Sequence, residues 1–315
     1  MKIFLFFCRA GEFRACLIKL RIIAMFTRIL LTFLMTQLTF APQSIGTVRN
    51  AALPQDVPGL KKVNQSAIDV IIQSPSAVVL DPETGQILYK KNHSAQRPVA
   101  SITKLLTAYF YLQETHNDQQ KKITIQPTDL RNGGKHNVFT GETYNALDLL
   151  HIALIASDNT AAFALARAGG FADSFGYKTE KLLQSLNLHN SQFIEPTGLD
   201  EQNAASAFDI ALLGAHIFKN QHIATITQKQ EYAVTFEQTG TKRTVYSTDT
   251  LLSTDLFTVV AGKTGFTPEA GYCLVIKVAG PNGKEIIIAI LGAKTSEDRF
   301  QDAKALAWWV FNNFK

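Results

Sequence analysis

The chain has 315 residues, 46% of them hydrophobic and 18% charged. That composition supplies a sizeable core and excludes global disorder, and the length fits one large domain or two small ones. The formal net charge is +5, but Lys2, Arg9, Arg14, Lys19, Arg21 and Arg28 face only Glu12 in residues 1–41, and the remainder balances; a basic footprint for nucleic acid is therefore absent from the folded part.

The first feature in chain order is the apolar run Ile29 to Ala41, which follows Arg28. Its length fits the hydrophobic core of a signal peptide and is short for a membrane span. Residues 1–41 are therefore expected to be a signal peptide or an uncleaved signal anchor, with Met25 as a second candidate start, and the body is expected outside the cytoplasm. Two cleavage points are open, after Ala41 or after Gly46. Residues 42–70, with Pro42, Pro54 and Pro58, read as a linker, and the folded domain is expected over 71–315.

Within that domain, Ala77 to Asp81 reads as a strand, Pro82-Glu83-Thr84-Gly85 as a turn and Gln86 to Lys90 as a second strand. A helix is expected from Ser101, because Ile102, Leu105, Leu106, Tyr109 and Leu112 form an apolar stripe. Residues 146–156 are apolar almost all round, which predicts a central helix. A helix over 160–168 stops at Gly169-Gly170, and further helices are expected over 172–187 and 206–218. A hairpin over 232–247 turns at Thr239-Gly240. Strands over 258–264, 272–279 and 285–291 follow, the last two joined at Asn282-Gly283, and a helix over 297–314 closes the chain. Strands at both ends with helices between them predict an α/β fold of mixed type. Its antiparallel sheet is assembled from both chain ends, with a helical block inserted between the strands.

Cys8, Cys16 and Cys273 are the only cysteines, so the body has one and neither a disulfide framework nor a cysteine zinc site is possible there. The sequence has no HExxH, no G-x-G-x-x-G and no P-loop, which argues against a metalloprotease, a dinucleotide enzyme or a nucleoside-triphosphate enzyme.

Three short motifs stand out. Ser101-Ile102-Thr103-Lys104 is S-x-x-K, Ser157-Asp158-Asn159 is S-x-N and Lys263-Thr264-Gly265 is K-T-G. Singly, each has an ordinary explanation: a helix-capping serine with a surface lysine, a helix junction, a turn. Together, in that order, each sits where its chemistry needs it. Ser101 and Lys104 lie one turn apart at a helix start, where N–H groups favour developing negative charge. Ser157 and Asn159 fall at a helix junction, and K-T-G ends a strand along which a peptide can align.

This set is the signature of penicillin-binding proteins and class A β-lactamases. Five stretches extend it: 87–108, 154–166, 193–203, 261–275 and 291–300. On these residues the chain resembles the D-alanyl-D-alanine carboxypeptidase family, the low-molecular-mass penicillin-binding proteins, over about residues 75–314. The resemblance implies a β-lactamase/transpeptidase-like fold and an exported serine peptidase of peptidoglycan stem peptides ending in D-Ala-D-Ala, with β-lactams as covalent inhibitors. Because the chain stops at Lys315, it looks more like the short members, which include D-alanyl-D-alanine endopeptidases.

The implied mechanism makes Ser101 the nucleophile, Lys104 its base and Ser157 a proton relay to the leaving amine. Asn159 would hold the substrate amide, and Lys263 would add positive field and help keep Lys104 neutral. The N–H groups of Ser101 and Phe266 would form the oxyanion hole, with Gly265 leaving room for the substrate. Thr264 and Arg299 are candidates for the terminal carboxylate, although Arg299 also fits a surface arginine at a helix start. No metal or organic cofactor is needed. The rival readings are a class A β-lactamase, for which Glu195 lies in the right region but without the E-x-x-L-N arrangement, and a non-catalytic wall-binding protein.

Overall fold

The C-terminal strands show why a sheet forms with both faces covered. In β12 (Glu285–Ala293), Ile286, Ile288 and Ile290 enter one apolar cluster while Ile287, Ala289 and Leu291 enter another. Successive side chains of a strand point to opposite faces, so an unbroken apolar run is the pattern of a strand buried on both sides. β1 (Ser76–Leu80) repeats it, with Ala77 and Val79 on one face and Val78 and Leu80 on the other. This computed structural model describes residues 59–236, 241–281 and 283–315. The expected signal segment, most of the linker, Cys8, Cys16, the Thr239-Gly240 turn and Asn282 lie outside the described residues.

The principal sheet has five antiparallel strands in the order β10-β11-β12-β1-β2, where β2 is Ile87–Lys91, β10 Thr258–Thr267 and β11 Gly271–Ala279. N-terminal β1 pairs with C-terminal β12, for example Val78 opposite Ala289, so the sheet is indeed built from both ends. One face packs on the long closing helix α7 (Ser296–Asn313) through Phe300, Leu306 and Val310. The other packs on the helical block: α1 (Lys104–Glu114), α2 (Ala146–Ile155), α3 (Asn159–Ala168), α4 (Phe175–Ser185), α5 (Ala207–Ile217) and α6 (Gln221–Thr227). Cys273 lies fully buried in that second cluster.

A β-bulge between Val259 and Ala261 positions the site. These two residues would share a face in a regular strand, yet Val259 joins the cluster under α7 and Ala261 the cluster under the helical block. The extra residue reverses the alternation. Lys263, two residues past Ala261, is thereby turned toward the helices.

Several short elements escaped the sequence reading. β3 (Gln96–Pro98), β6 (Ser191–Gln192) and β7 (Ala204–Ser206) form a small sheet. β4 (Lys122–Thr124) pairs with β5 (Thr143–Asn145). The expected hairpin is β8 (Glu231–Thr235) with β9 (Lys242–Tyr246). Two- and three-residue strands have too few positions to show a period. The helix expected from Ser101 also differs: Ala100–Thr103 is a 3₁₀ turn, and the α-helix starts at Lys104. Finally, part of the stretch read as linker is tied to the domain. Lys61 and Lys315 exchange backbone hydrogen bonds, and Trp309 Nε1 donates to Ile68 O at 2.9 Å.

Candidate active site

Ser101 sits in the 3₁₀ turn, where residues three apart eclipse one another. Lys104 is only 1% exposed, and its Nζ lies 2.8 Å from Ser101 Oγ. The same nitrogen donates to Asn159 Oδ1 and to the carbonyl oxygen of Thr197, both at 2.6 Å. Burial pushes the Lys104 ammonium down to about 7, against the pull of the Glu195 and Asp158 carboxylates. A neutral lysine has two N–H bonds and one lone pair. Two of its three partners here can only accept, so they take the N–H bonds and the lone pair is left facing the Ser101 hydroxyl. The geometry itself therefore makes Lys104 a base toward Ser101.

Ser157 occupies the break between α2 and α3 with φ +62°, a left-handed conformation that turns the chain sharply. Asp158 caps α3 by accepting from Ala161 N at 2.8 Å, and its other oxygen accepts from Asn137 N at 2.7 Å. Asn159 then projects toward Lys104, while its Nδ2 donates to Gly133 O at 2.8 Å. Each end of this amide thus has a partner within the protein and keeps a further donor or acceptor, and Asn159 also lines the cleft, where the sequence reading has it holding the substrate amide. Ser157 Oγ accepts from Lys263 Nζ at 2.9 Å.

Lys263 lies on β10, the edge strand of the sheet, and is 1% exposed. Its ammonium also donates to Thr264 O at 2.9 Å. Burial lowers its pKa well below the ordinary lysine value, and the charges of Lys104 and Arg299 lower it further. Asp249, buried and with Oδ2 lacking a hydrogen bond, pulls the other way. Thr264 Oγ1 is 2.5 Å from Thr248 Oγ1, which places two hydroxyls side by side at the cleft.

Gly265 is where strand and serine turn meet. A Cβ there would stand 2.7 Å from Val99 O and 3.2 Å from Ser101 N, so only glycine lets β10 approach the nucleophile's backbone this closely. Phe266 follows, half exposed, its ring stacked on Tyr272 with centroids 4.2 Å apart. Arg299 is not a surface residue. It is 5% exposed, lies beneath the strand, and its Nη1 donates to Gly265 O at 3.0 Å and Cys273 O at 3.3 Å.

The loop carrying Thr197 is organised by Glu195. That carboxylate accepts from the backbone N–H of Thr197, Gly198 and Leu199, from Thr197 Oγ1 and from Asn203 Nδ2. With its lone pairs used in this way, Glu195 is a structural acceptor and has no capacity left to activate water.

An open cleft of about 600 Å³ is lined by Ser101, Ser157, Asn159, Thr264, Gly265, Phe266 and Arg299, with Lys104 Nζ hydrogen-bonded to Ser101 and Asn159 and Lys263 Nζ to Ser157 and Thr264. All nine residues singled out from the sequence are therefore gathered at one place. Three contributors were missed: the Thr197 carbonyl, the Gly133 carbonyl and the Thr248 hydroxyl. The first two act through backbone atoms, which leave no side-chain signature. Thr248 lies outside every motif.

The family description of D-alanyl-D-alanine carboxypeptidases matches residues 61–295. The chain is 29% identical to the D-alanyl-D-alanine endopeptidase of Escherichia coli K12 over 88% of its own length and 86% of that protein. It is 31% identical to the D-alanyl-D-alanine endopeptidase of Pseudomonas aeruginosa, over 76% and 77% of the two chains. The Streptomyces K15 DD-transpeptidase crystal structure superposes with a TM-score of 0.71 at 26% identity, covering 78% of this chain and 100% of that one. Site geometry, fold and the extent of these matches agree: the chain belongs to the D-alanyl-D-alanine carboxypeptidase family of serine peptidases.

Proposed function

We propose that the protein hydrolyses D-Ala-D-Ala peptides of peptidoglycan through an acyl-enzyme on Ser101, acting as a carboxypeptidase. The observation that carries this reading is the Lys104 nitrogen, whose lone pair is aimed at Ser101 Oγ by two carbonyl acceptors. Ser101 Oγ attacks the carbonyl of the penultimate D-alanine and passes its proton to Lys104. The oxyanion that forms is held by the N–H groups of Ser101 and Phe266. As the C–N bond breaks, Ser157, hydrogen-bonded to Lys263, passes a proton to the leaving amine, and water then releases the acyl group. Thr264, Thr248 and Arg299 line the side on which the terminal carboxylate of the substrate lies.

A β-lactam presents an amide of the same shape, so the same steps leave a penicilloyl group on Ser101. Export to the periplasm or the outer face of the cytoplasmic membrane accords with the apolar run 29–41 behind Arg28. A second reading, cleavage of cross-links, is favoured by the similarity to two endopeptidases over most of their length. Digestion of defined muropeptides separates the two. Release of D-alanine from monomeric pentapeptides is the expected result; cleavage of cross-linked dimers alone makes the endopeptidase the principal activity, and cleavage of neither contradicts both.

A further inference from the structure

A second cavity of about 490 Å³ adjoins the cleft across the Phe266–Tyr272 stack, and Phe266 and Pro268 line both. Its cationic wall is Arg97, on β3 four residues before Ser101, together with Lys294. The Arg97 guanidinium lies against Gly292: a Cβ at that position would stand 2.7 Å from Nε and 2.9 Å from Nη2. Among the described residues Arg97 makes no side-chain hydrogen bond and no ion pair, and its Nε is buried without a partner. A half-buried guanidinium whose buried Nε has no partner among the described residues is costly and is matched in shape by a carboxylate. Glu269 stands exposed on the rim as the one acid, leaving two bases to it.

The direction of the substrate says what reaches this cavity. Its terminal carboxylate lies by Thr264 and Arg299, and its reacting carbonyl lies between Ser101 and Phe266. A peptide pairing with edge strand β10 in that order runs antiparallel to it, so the acyl-donor part passes Phe266, Thr267 and Pro268 on its way out. At roughly 3.3 Å per residue, the residues one and two before the penultimate alanine come level with Arg97.

The geometry points to Arg97 and Lys294 as an anion subsite that binds a carboxylate carried by the stem peptide upstream of the two alanines. This deepens the D-Ala-D-Ala peptidase reading and rests on it. The carboxylate has two sources, the residue just before the alanines or the one before that.

The test is kcat/KM for four synthetic peptides ending in D-Ala-D-Ala. Two carry a side-chain carboxylate at one or the other position, and two carry the matching carboxamide. The wild type should prefer the carboxylate at one position by about tenfold or more, as for a hydrogen-bonded charge pair. That ratio should fall toward one in Arg97→Gln and be reduced in Lys294→Gln, with labelled penicillin confirming that each variant is folded. Lys294 is exposed, so its variant carries the test should Arg97→Gln fail to fold. Equal rates for carboxylate and carboxamide at both positions, or a preference that survives Arg97→Gln, would overturn the subsite while leaving the peptidase intact. Failure to cleave any of the four would overturn both.

Discussion

Lys104 is a base only while it is neutral, and its surroundings bring that state within reach of neutral pH. Burial lowers its pKa to about 7, and the neighbouring Lys263 is lowered by burial and by repulsion from Lys104. Because the deprotonated amine is the competent form, penicillin acylation should rise with pH through an apparent pKa near 7, a value belonging to the coupled pair. Lys104→Arg keeps the charge but stays protonated, so its acylation should fall by about 10²-fold or more. Lys263→Arg should retain part of the rate, because charge and donors are what that position supplies. Acylation rates between pH 5 and 10 for the three proteins check this, and a Lys104→Arg variant near the wild-type rate would remove Lys104 from the role. All of these side chains were legible in the sequence, because S-x-x-K, S-x-N and K-T-G fix residue type and spacing together. What was not legible is the backbone around them. The Thr197 and Gly133 carbonyls orient Lys104 and Asn159 with atoms that every residue possesses. Arg299 was legible as a candidate for the carboxylate side of the cleft, but its position at the start of α7 fitted a surface arginine equally well; only its burial beside the Gly265 and Cys273 carbonyls of β10 and β11 decides between the two.

At the scale of elements, the Glu195 loop decides between a peptidase and a β-lactamase. Its carboxylate ties together the N–H groups that hold Thr197 O on Lys104, and Gly198 fits so closely that a Cβ would stand 2.0 Å from Ala100 O. Glu195→Gln turns one acceptor into a donor facing other donors. It should cost about 1–3 kcal/mol of stability and slow acylation, without trapping a long-lived acyl-enzyme on a D-Ala-D-Ala substrate. Thermal unfolding and intact-protein mass after substrate addition read both effects; an accumulating acyl-enzyme would make Glu195 a deacylation base. Long elements such as α2, β11 and β12 were legible because their periodicity spans many residues. The start of α1 was not, since a 3₁₀ turn and an α-helix place the same apolar residues on nearly the same face over one turn. The bulge at Val259–Ala261 had no sequence signal, although it determines which way Lys263 points.

At the scale of the whole molecule, the sheet joins the two ends of the domain, and the segment before β1 straps over α7. Asp302 on α7 accepts from Gln73 N at 3.0 Å, Ser74 N at 2.7 Å and Ser74 Oγ at 2.5 Å. Asp302→Ala should leave those donors unpaired and lower the unfolding free energy by about 1–3 kcal/mol, with acylation by penicillin retained because the strap lies on the face away from the cleft. Denaturant unfolding measures the loss, and an unchanged midpoint would show that the strap contributes nothing. The strap itself was hidden in the sequence by its prolines and weak periodicity, which look the same in a free linker and in a docked one. The central claim is that Ser101 is acylated. Benzylpenicillin should add one penicilloyl mass to the intact protein, mapped by peptide fragmentation to Ser101 and absent from Ser101→Ala. An unlabelled wild type, or a label that persists in Ser101→Ala, would contradict it.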